Sequence, residues 1–276
     1  MAHICLLLSG AALLLNGLAA LDVLPRRDAA VFSLVIGSTQ LVLGVTYLGA
    51  SSPGVDGGGP QLLLGAAGMF LFGLTYVYVG LDYLLALGSR GLGWFCGLVG
   101  ACGLLLAAAW SGEDPFLAVL WLCWAYLWLL FFLQLALGFV GLGPLIGWSL
   151  VLTSQASATV PALLGIIGHW PAGPEPAAEQ ATAAASLLAV LLLALLLLAG
   201  GLAWRGRQSA ARAAAARADT ATAAGIAAVE RPLPGELRLQ DLDALLHPDL
   251  HQHSGQEDHG DGRQQPRRRF GTSADE

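Results

Sequence analysis

Seven long apolar runs constrain the fold of this chain more than any other feature. They cover residues 4–21, 29–50, 61–87, 92–110, 116–138, 144–168 and 183–203. As a helix, at about 1.5 Å per residue, each run is long enough to cross a hydrocarbon core of roughly 30 Å. Hydrophobic residues make up 56% of the chain and charged residues only 12%. The sequence therefore predicts an all-α integral membrane protein.

The seventh run differs from the other six because it is almost pure Ala and Leu. The Pro-rich linker 171–182 separates it from the sixth run. We therefore predict a six-helix bundle in residues 1–170 and one extra C-terminal transmembrane helix at 183–203. The tail, residues 204–276, is rich in Ala and Arg and then polar. Such a segment cannot bury enough apolar surface to fold, so we predict a disordered tail.

The arginines predict the orientation of the chain in the membrane. Arg26 and Arg27 follow the first run, Arg90 follows the third, and several more follow the seventh. The N-terminus and the second, fourth and sixth connections contain none. Since cytoplasmic loops are enriched in basic residues, all of these arginines fall on the cytoplasmic side. We expect a multi-pass protein of the cytoplasmic (inner) membrane with its N-terminus outside and its tail in the cytoplasm.

Several classes of protein are excluded or disfavoured by what the sequence lacks. There is no Lys, so retinal cannot be bound as a Schiff base. No CxxC pair occurs, and the four cysteines lie within apolar runs, so we expect no disulfide and no metal site. The basic cluster 267–269 is too short to indicate nucleic-acid binding. No nucleophile–base pair occurs in the spans, so we expect neither an enzyme nor a cofactor.

Three tryptophans, Trp121, Trp124 and Trp128, form one stripe in the fifth run at spacings i, i+3 and i+7. The stripe fits either packing against a neighbouring helix or the lining of a passage. The first and third runs carry comparable faces. Their residues are Leu6, Ser9 and Leu13 in the first run and Phe72 and Tyr76 in the third.

If these three faces met, they would enclose a narrow slot with few hydrogen-bonding groups. Such a slot suits a small, flat, neutral molecule that stacks on rings. An ion would lose its hydration there without compensation. No Walker-type nucleotide motif and no run of intramembrane acids supplies energy. The pattern therefore favours passive facilitation.

Four ordered motifs resemble the urea and short-chain amide channels of the UreI/AmiS type. They are Asn16–Gly17, Phe72–Tyr78, Trp121–Trp128 and the stretch from Val160–Ala162 through His169–Trp170. The resemblance covers residues 4–170. It implies a six-helix channel bundle whose protomers each hold a pore and assemble as a homohexamer. It also implies passage of urea or short-chain amides to a cytoplasmic urease or amidase.

The resemblance also implies which residues line the pore. Together with the polar residues of the same faces they are Leu6, Ser9, Leu13, Asn16, Phe72, Tyr76, Trp121, Trp124, Leu127, Trp128 and Thr153. Thr153 stands where the family often has a Glu in the sixth helix. Acid-gated members carry His-rich outer loops, whereas the segments 51–60 and 111–115 contain no His. We therefore expect a pore that acid does not gate.

A second hypothesis comes from a different class of protein. The chain could be a membrane scaffold or sensor that signals through the cytoplasmic tail. Deletion of that tail separates the two hypotheses, because a scaffold would lose its downstream function while solute uptake stayed unchanged.

Overall fold

The computed structural model describes residues 1–49, 59–171 and 177–229, and the regular elements in these ranges are helical. The helices are α1 (Ala2–Ala20), α2 (Arg26–Gly49), α3 (Pro60–Leu85), α4 (Arg90–Trp110), α5 (Pro115–Phe131), α6 (Gly143–Ser154), α7 (Val160–Ile166) and α8 (Ala177–Val229). A π-helical turn, Phe132–Ala136, extends α5, and another, Gln155–Thr159, joins α6 to α7. A short 3-10 turn, Val140–Leu142, precedes α6.

Seven stretches of the described chain are long and apolar enough to cross a membrane. The sixth, Val140–Ile166, combines α6, the π-helical turn and α7. The predicted membrane fold of six helical crossings plus an additional C-terminal one is therefore confirmed. The ends of the first six crossings fall close to the predicted ones because hydropathy changes sharply where each helix leaves the apolar run.

The sixth crossing departs from a regular α-helix just before Pro161. A proline inside a helix has no N–H to donate, and its ring collides with the carbonyl one turn earlier. The π-helical turn directly precedes Pro161, and Thr159 Oγ1 lies 3.5 Å from the backbone oxygen of Ser154. Gly10 of α1 faces this turn so closely that a Cβ would collide with Thr159 Oγ1. The irregular turn therefore packs directly on α1.

Glycines allow the helices to approach each other closely, as is usual in membranes. α2 packs along α3 more extensively than any other pair of helices does, followed by α4 along α5. Gly37 lies at the α2–α3 contact. A Cβ on Gly37 would stand 2.7 Å from the backbone oxygen of Gly73 and 2.7 Å from the backbone nitrogen of Val77. Both obstacles are backbone atoms, so no side-chain rotation could make room.

The predicted disorder of residues 204–276 is wrong for the first part of that segment. α8 runs without interruption from Ala177 to Val229. Ala, the residue with the highest helix propensity, dominates its second half. A helix satisfies its own backbone hydrogen bonds, so a sequence that cannot form a core can still be helical. The start of α8 also falls inside the predicted linker 171–182, which is correspondingly shorter.

Other predicted features lie outside the described residues. They are the loop at 50–58, the Pro-rich stretch 172–176 and the tail from residue 230 to residue 276.

We predict that Gly37→Ala lowers the stability of the folded protein by about 1–3 kcal/mol, the usual cost of overpacking a well-packed contact. Gly49→Ala is the matched control on the same helix, because a Cβ there meets no atom of the described residues within 4 Å. The thermal unfolding midpoint in detergent should fall for Gly37→Ala and stay near the wild-type value for Gly49→Ala. Equal midpoints for the two variants would contradict a close α2–α3 contact at Gly37.

Candidate functional site

Phe72 of α3 is the hub of a cluster of buried aromatic rings. Its ring centroid lies 5.0 Å from that of Trp124 at an interplanar angle of 87° and 4.8 Å from that of Trp128. Trp121 lies 6.0 Å away. An edge-to-face arrangement such as that of Phe72 and Trp124 is favoured by the quadrupoles of aromatic rings. The three tryptophans of the α5 stripe therefore meet α3 through one phenylalanine.

The sequence explains how α3 and α5 come close enough for this contact. The i, i+3, i+7 spacing places the three tryptophans on one face of α5. One turn before Phe72, α3 carries Gly68, where a Cβ would lie 2.7 Å from Cζ2 of Trp121. Only a residue without a side chain leaves room for the indole ring there.

A first chamber lies on one side of the aromatic cluster. Its volume is 170 Å³, several times the roughly 30 Å³ that one water molecule occupies in the liquid. Its walls come from the first half of α1, the middle of α2, the first half of α3 and the first half of α5. The residues of the wall that matter below are His3, Leu6, Ser9, Gln40, Phe72, Asp114, Trp121, Trp124 and Trp170.

A second chamber of 60 Å³ lies on the other side. Its wall takes later residues of α1, α3 and α5, including Leu13, Asn16, Phe72, Thr75, Tyr76, Trp124, Leu127 and Trp128, and adds residues of α4 and α6. No Asp, Glu, Lys, Arg or His from the described part of the chain lines it. Phe72 and Trp124 belong to the walls of both chambers. The two chambers therefore follow one another along the helix axes, with this ring pair between them.

Polar side chains of α1 and α2 bond to each other beside the rings. Gln40 Nε2 donates to the backbone oxygen of Cys5 and to Ser9 Oγ, at 2.8 Å each. Further along, Asn16 Nδ2 donates to Ser33 Oγ at 2.9 Å. The hydroxyl of Tyr76 donates to the backbone oxygen of Ser9 at 3.3 Å. Buried polar groups thus fix the wall of α1 against α2 and α3.

The far end of the first chamber contains Asp114, which is 8% exposed. Asp114 caps the start of α5: its Oδ1 accepts a hydrogen bond from the backbone N–H of Leu117 at 2.8 Å. Its Oδ2 accepts from Trp170 Nε1 at 2.7 Å, and the Trp170 ring lies 5.1 Å from the ring of His3. Both carboxylate oxygens are therefore engaged in hydrogen bonds that hold α5 to the end of the sixth crossing.

Trp124 is held in place by a hydrogen bond as well as by ring contacts. Its Nε1 donates to Ser157 Oγ in the π-helical turn at 3.2 Å. The indole N–H of a tryptophan in the middle of a membrane needs such a partner. The Trp124 ring is therefore oriented by the irregular part of the sixth crossing.

The structure gathers the residues expected to line a pore, with one exception. Leu6, Ser9, Leu13, Asn16, Phe72, Tyr76, Trp121, Trp124, Leu127 and Trp128 line one chamber or both. Thr153 lines neither chamber. It is fully buried, and its Oγ1 donates to the backbone oxygen of Ser149 at 2.7 Å. The hydroxyl of Thr153 thus turns back onto its own helix, and the placement of Thr153 in a pore wall stays a prediction.

The expected set also missed wall residues. Gln40 and Thr75 are polar residues within apolar runs, which is a signal that could have selected them. Asp82, another polar residue in a span, borders neither chamber. It accepts hydrogen bonds from the backbone N–H of Ser89, at 2.9 Å, and from Ser89 Oγ, so it closes the turn between α3 and α4.

Comparisons with known proteins agree with this architecture. Over 177 residues, 63% of this chain and 83% of the relative, the chain is 40% identical to AmiS2 of Rhodococcus erythropolis, a protein named as a transporter. It is 36% identical over 169 residues to a Mycolicibacterium smegmatis protein named as a transporter of amidate substrates, covering 60% of this chain and 77% of the relative.

A solved structure matches the same region. The crystal structure of the urea channel from the human gastric pathogen Helicobacter pylori is similar to this chain with a TM-score of 0.56 and 26% sequence identity. The match covers 62% of this chain and 99% of that one. The model of the AmiS/UreI family of transporters matches residues 1–169, more than half of the sequence. The chain belongs to the AmiS/UreI family of transporters.

Proposed function

We propose that this protein is a passive membrane channel for small neutral amides, including urea and short-chain aliphatic amides. The observation that carries the proposal is the pair of chambers that share Phe72 and Trp124 as a common wall. Relatives named as an amidate-substrate transporter and as acid-activated urea channels support the choice of solute.

The walls favour a neutral solute over an ion. A charged group that enters a space lined by aromatic and aliphatic side chains loses its hydration, at a cost of several kcal/mol or more. The second chamber offers Asn16, Thr75 and the Tyr76 hydroxyl as polar groups, none of them ionised. A planar neutral amide loses fewer hydrogen bonds to water and can stack on ring faces. The free-energy cost of its desolvation on the same path is therefore smaller.

Movement of a solute between the chambers requires displacement of the shared ring pair. With centroids 5.0 Å apart, the rings of Phe72 and Trp124 are in contact and leave no gap for a solute. The hydrogen bond to Ser157 holds Trp124, so we infer that Phe72 is the ring that moves. Thr153 is left out of the proposed path because it borders neither chamber.

The positive-inside pattern supports an N-terminus outside, which would place the first chamber towards the outside and the second towards the cytoplasm. The family resemblance supports a homohexamer in which each protomer holds its own pore. It also supports delivery of the solute to a cytoplasmic urease or amidase. The identity of the neighbouring genes would decide between these two enzymes.

Stopped-flow light scattering of proteoliposomes tests the function. The full chain should raise urea and acetamide permeability well above that of protein-free liposomes, without ATP or an ion gradient. Phe72→Leu should raise the permeability of a bulkier amide, butyramide, by about three- to ten-fold, the equivalent of one aromatic ring contact. Phe70→Leu is the matched control, since Phe70 lies on the same helix and lines neither chamber.

If liposomes that contain the wild-type chain are no more permeable to urea and acetamide than liposomes without protein, the proposed function is refuted. Identical butyramide permeability for Phe72→Leu and Phe70→Leu would instead show that the solute does not pass Phe72.

We further propose that acid does not gate the channel. The segments 51–60 and 111–115 contain no His, the residue whose charge ordinarily changes near pH 6. Urea permeability at pH 5 should therefore stay within about two-fold of its value at pH 7.5. His3 lines the first chamber, so His3→Gln serves as the comparison at both pH values. A many-fold change with pH in the wild type that disappears in His3→Gln would contradict the proposal and identify His3 as the sensor.

A further inference from the structure

Gln40 of α2 combines complete burial with an unused hydrogen-bonding atom. Its side chain borders the first chamber and is fully buried. Nε2 donates to Ser9 Oγ and to the backbone oxygen of Cys5. Because a backbone carbonyl can only accept, this second bond fixes which end of the carboxamide is nitrogen. Oε1 then has no hydrogen-bond partner among the described residues.

A buried acceptor without a partner is uncommon in a folded protein and calls for an explanation. The two bonds of Nε2 already tie α1 to α2, so a purely structural role accounts for the nitrogen and not for the oxygen. Gln40 lies in the wall of a chamber large enough for a small molecule. The free oxygen therefore points to a ligand that carries a hydrogen-bond donor.

Ser9 supplies the complementary group next to Gln40. Its Oγ accepts the hydrogen bond from Gln40 Nε2 and also lies beside the hydroxyl of Tyr76. A hydroxyl carries one donor hydrogen besides its acceptor lone pairs. Ser9 also lines the first chamber. The same stretch of wall thus presents an acceptor on α2 and a donor on α1.

We propose that Gln40 Oε1 and the Ser9 hydroxyl form a solute-binding station in the first chamber, specific for carboxamides and urea. Gln40 Oε1 accepts a hydrogen bond from the N–H₂ group of the solute, and the Ser9 hydroxyl donates one to its carbonyl oxygen. This inference rests on the proposed channel function and adds the residues that would distinguish amides from other small neutral molecules.

The position of the station suits the energetics of passage. Phe72 and Trp124 line the same chamber, so a solute held there stands directly before the ring contact. At that point the solute must give up its hydrogen bonds to water, and hydrogen bonds from the chamber wall replace part of them. The backbone oxygen of Ser9 also accepts from the Tyr76 hydroxyl, which ties the station to the wall of the second chamber.

The test uses the full chain in proteoliposomes and three variants. Gln40→Met keeps the length of the side chain and removes the acceptor together with the two hydrogen bonds of Nε2. Ser9→Ala removes the donor and one of these two bonds with a minimal change of shape. Thr39→Val is the matched control, because Thr39 is exposed on α2 and its hydroxyl donates to the backbone oxygen of Val35. Urea, acetamide and osmotic water permeability are measured for each, together with the thermal unfolding midpoint.

We expect urea and acetamide permeability to fall about five-fold in Gln40→Met and in Ser9→Ala, the effect of one net hydrogen bond. Water permeability should change less than two-fold, and Thr39→Val should match the wild type. Wild-type amide permeability in Ser9→Ala, or an equal loss of amide and water permeability in both variants, would overturn the station. If Gln40→Met does not fold, Ser9→Ala decides alone.

The result also separates this inference from the proposed function. A wild-type chain that does not raise urea permeability refutes the channel itself. A conducting wild type with unaffected variants refutes only the station.

Discussion

The edge-to-face contact between Phe72 and Trp124 is the interaction on which the candidate site depends. The two rings belong to the walls of both chambers, which α1, α3 and α5 line on either side of them. Gly68 lets α5 approach α3, and Ser157 holds the indole N–H of Trp124. Loss of any one of these features would change the spacing or the relative orientation of the two rings. Residues of three separate membrane crossings therefore contribute to a single ring contact.

The polar groups in the bundle follow from the cost of placing them in lipid. An unpaired polar group in a bilayer costs several kcal/mol, so most of those present bond either to a neighbouring helix or to a carbonyl of their own helix. Ser9 links α1 to Gln40 of α2 and to Tyr76 of α3, and Asn16 repeats the link to α2 through Ser33. These bonds make α1 a rigid wall of both chambers. Two buried side-chain atoms of the described residues have no hydrogen-bond partner, Gln40 Oε1 and Ser149 Oγ, and only Gln40 borders one of the two chambers.

The sequence predicted the crossings from hydropathy and a part of the wall from periodicity together with the family resemblance. Hydropathy locates each span, and the spacing of Trp121, Trp124 and Trp128 defines a face that packs inward. It could not predict that Gln40 meets Cys5 and Ser9, more than 30 residues away in the chain, because that contact depends on how α1 and α2 pack. The family resemblance fixed the position of Thr153 but not the direction of its side chain. The low hydrophobicity of residues 204–229 did not exclude an isolated helix there.

The most direct test of the account compares urea with guanidinium, a cation of nearly the same planar shape. Shape alone would admit both, whereas the second chamber, lined by rings and neutral polar groups, should exclude the charged one. In proteoliposomes of the full chain, we predict urea permeability far above that of protein-free liposomes and guanidinium permeability indistinguishable from theirs. Guanidinium flux as fast as urea flux, or urea flux at the protein-free level, would contradict the account.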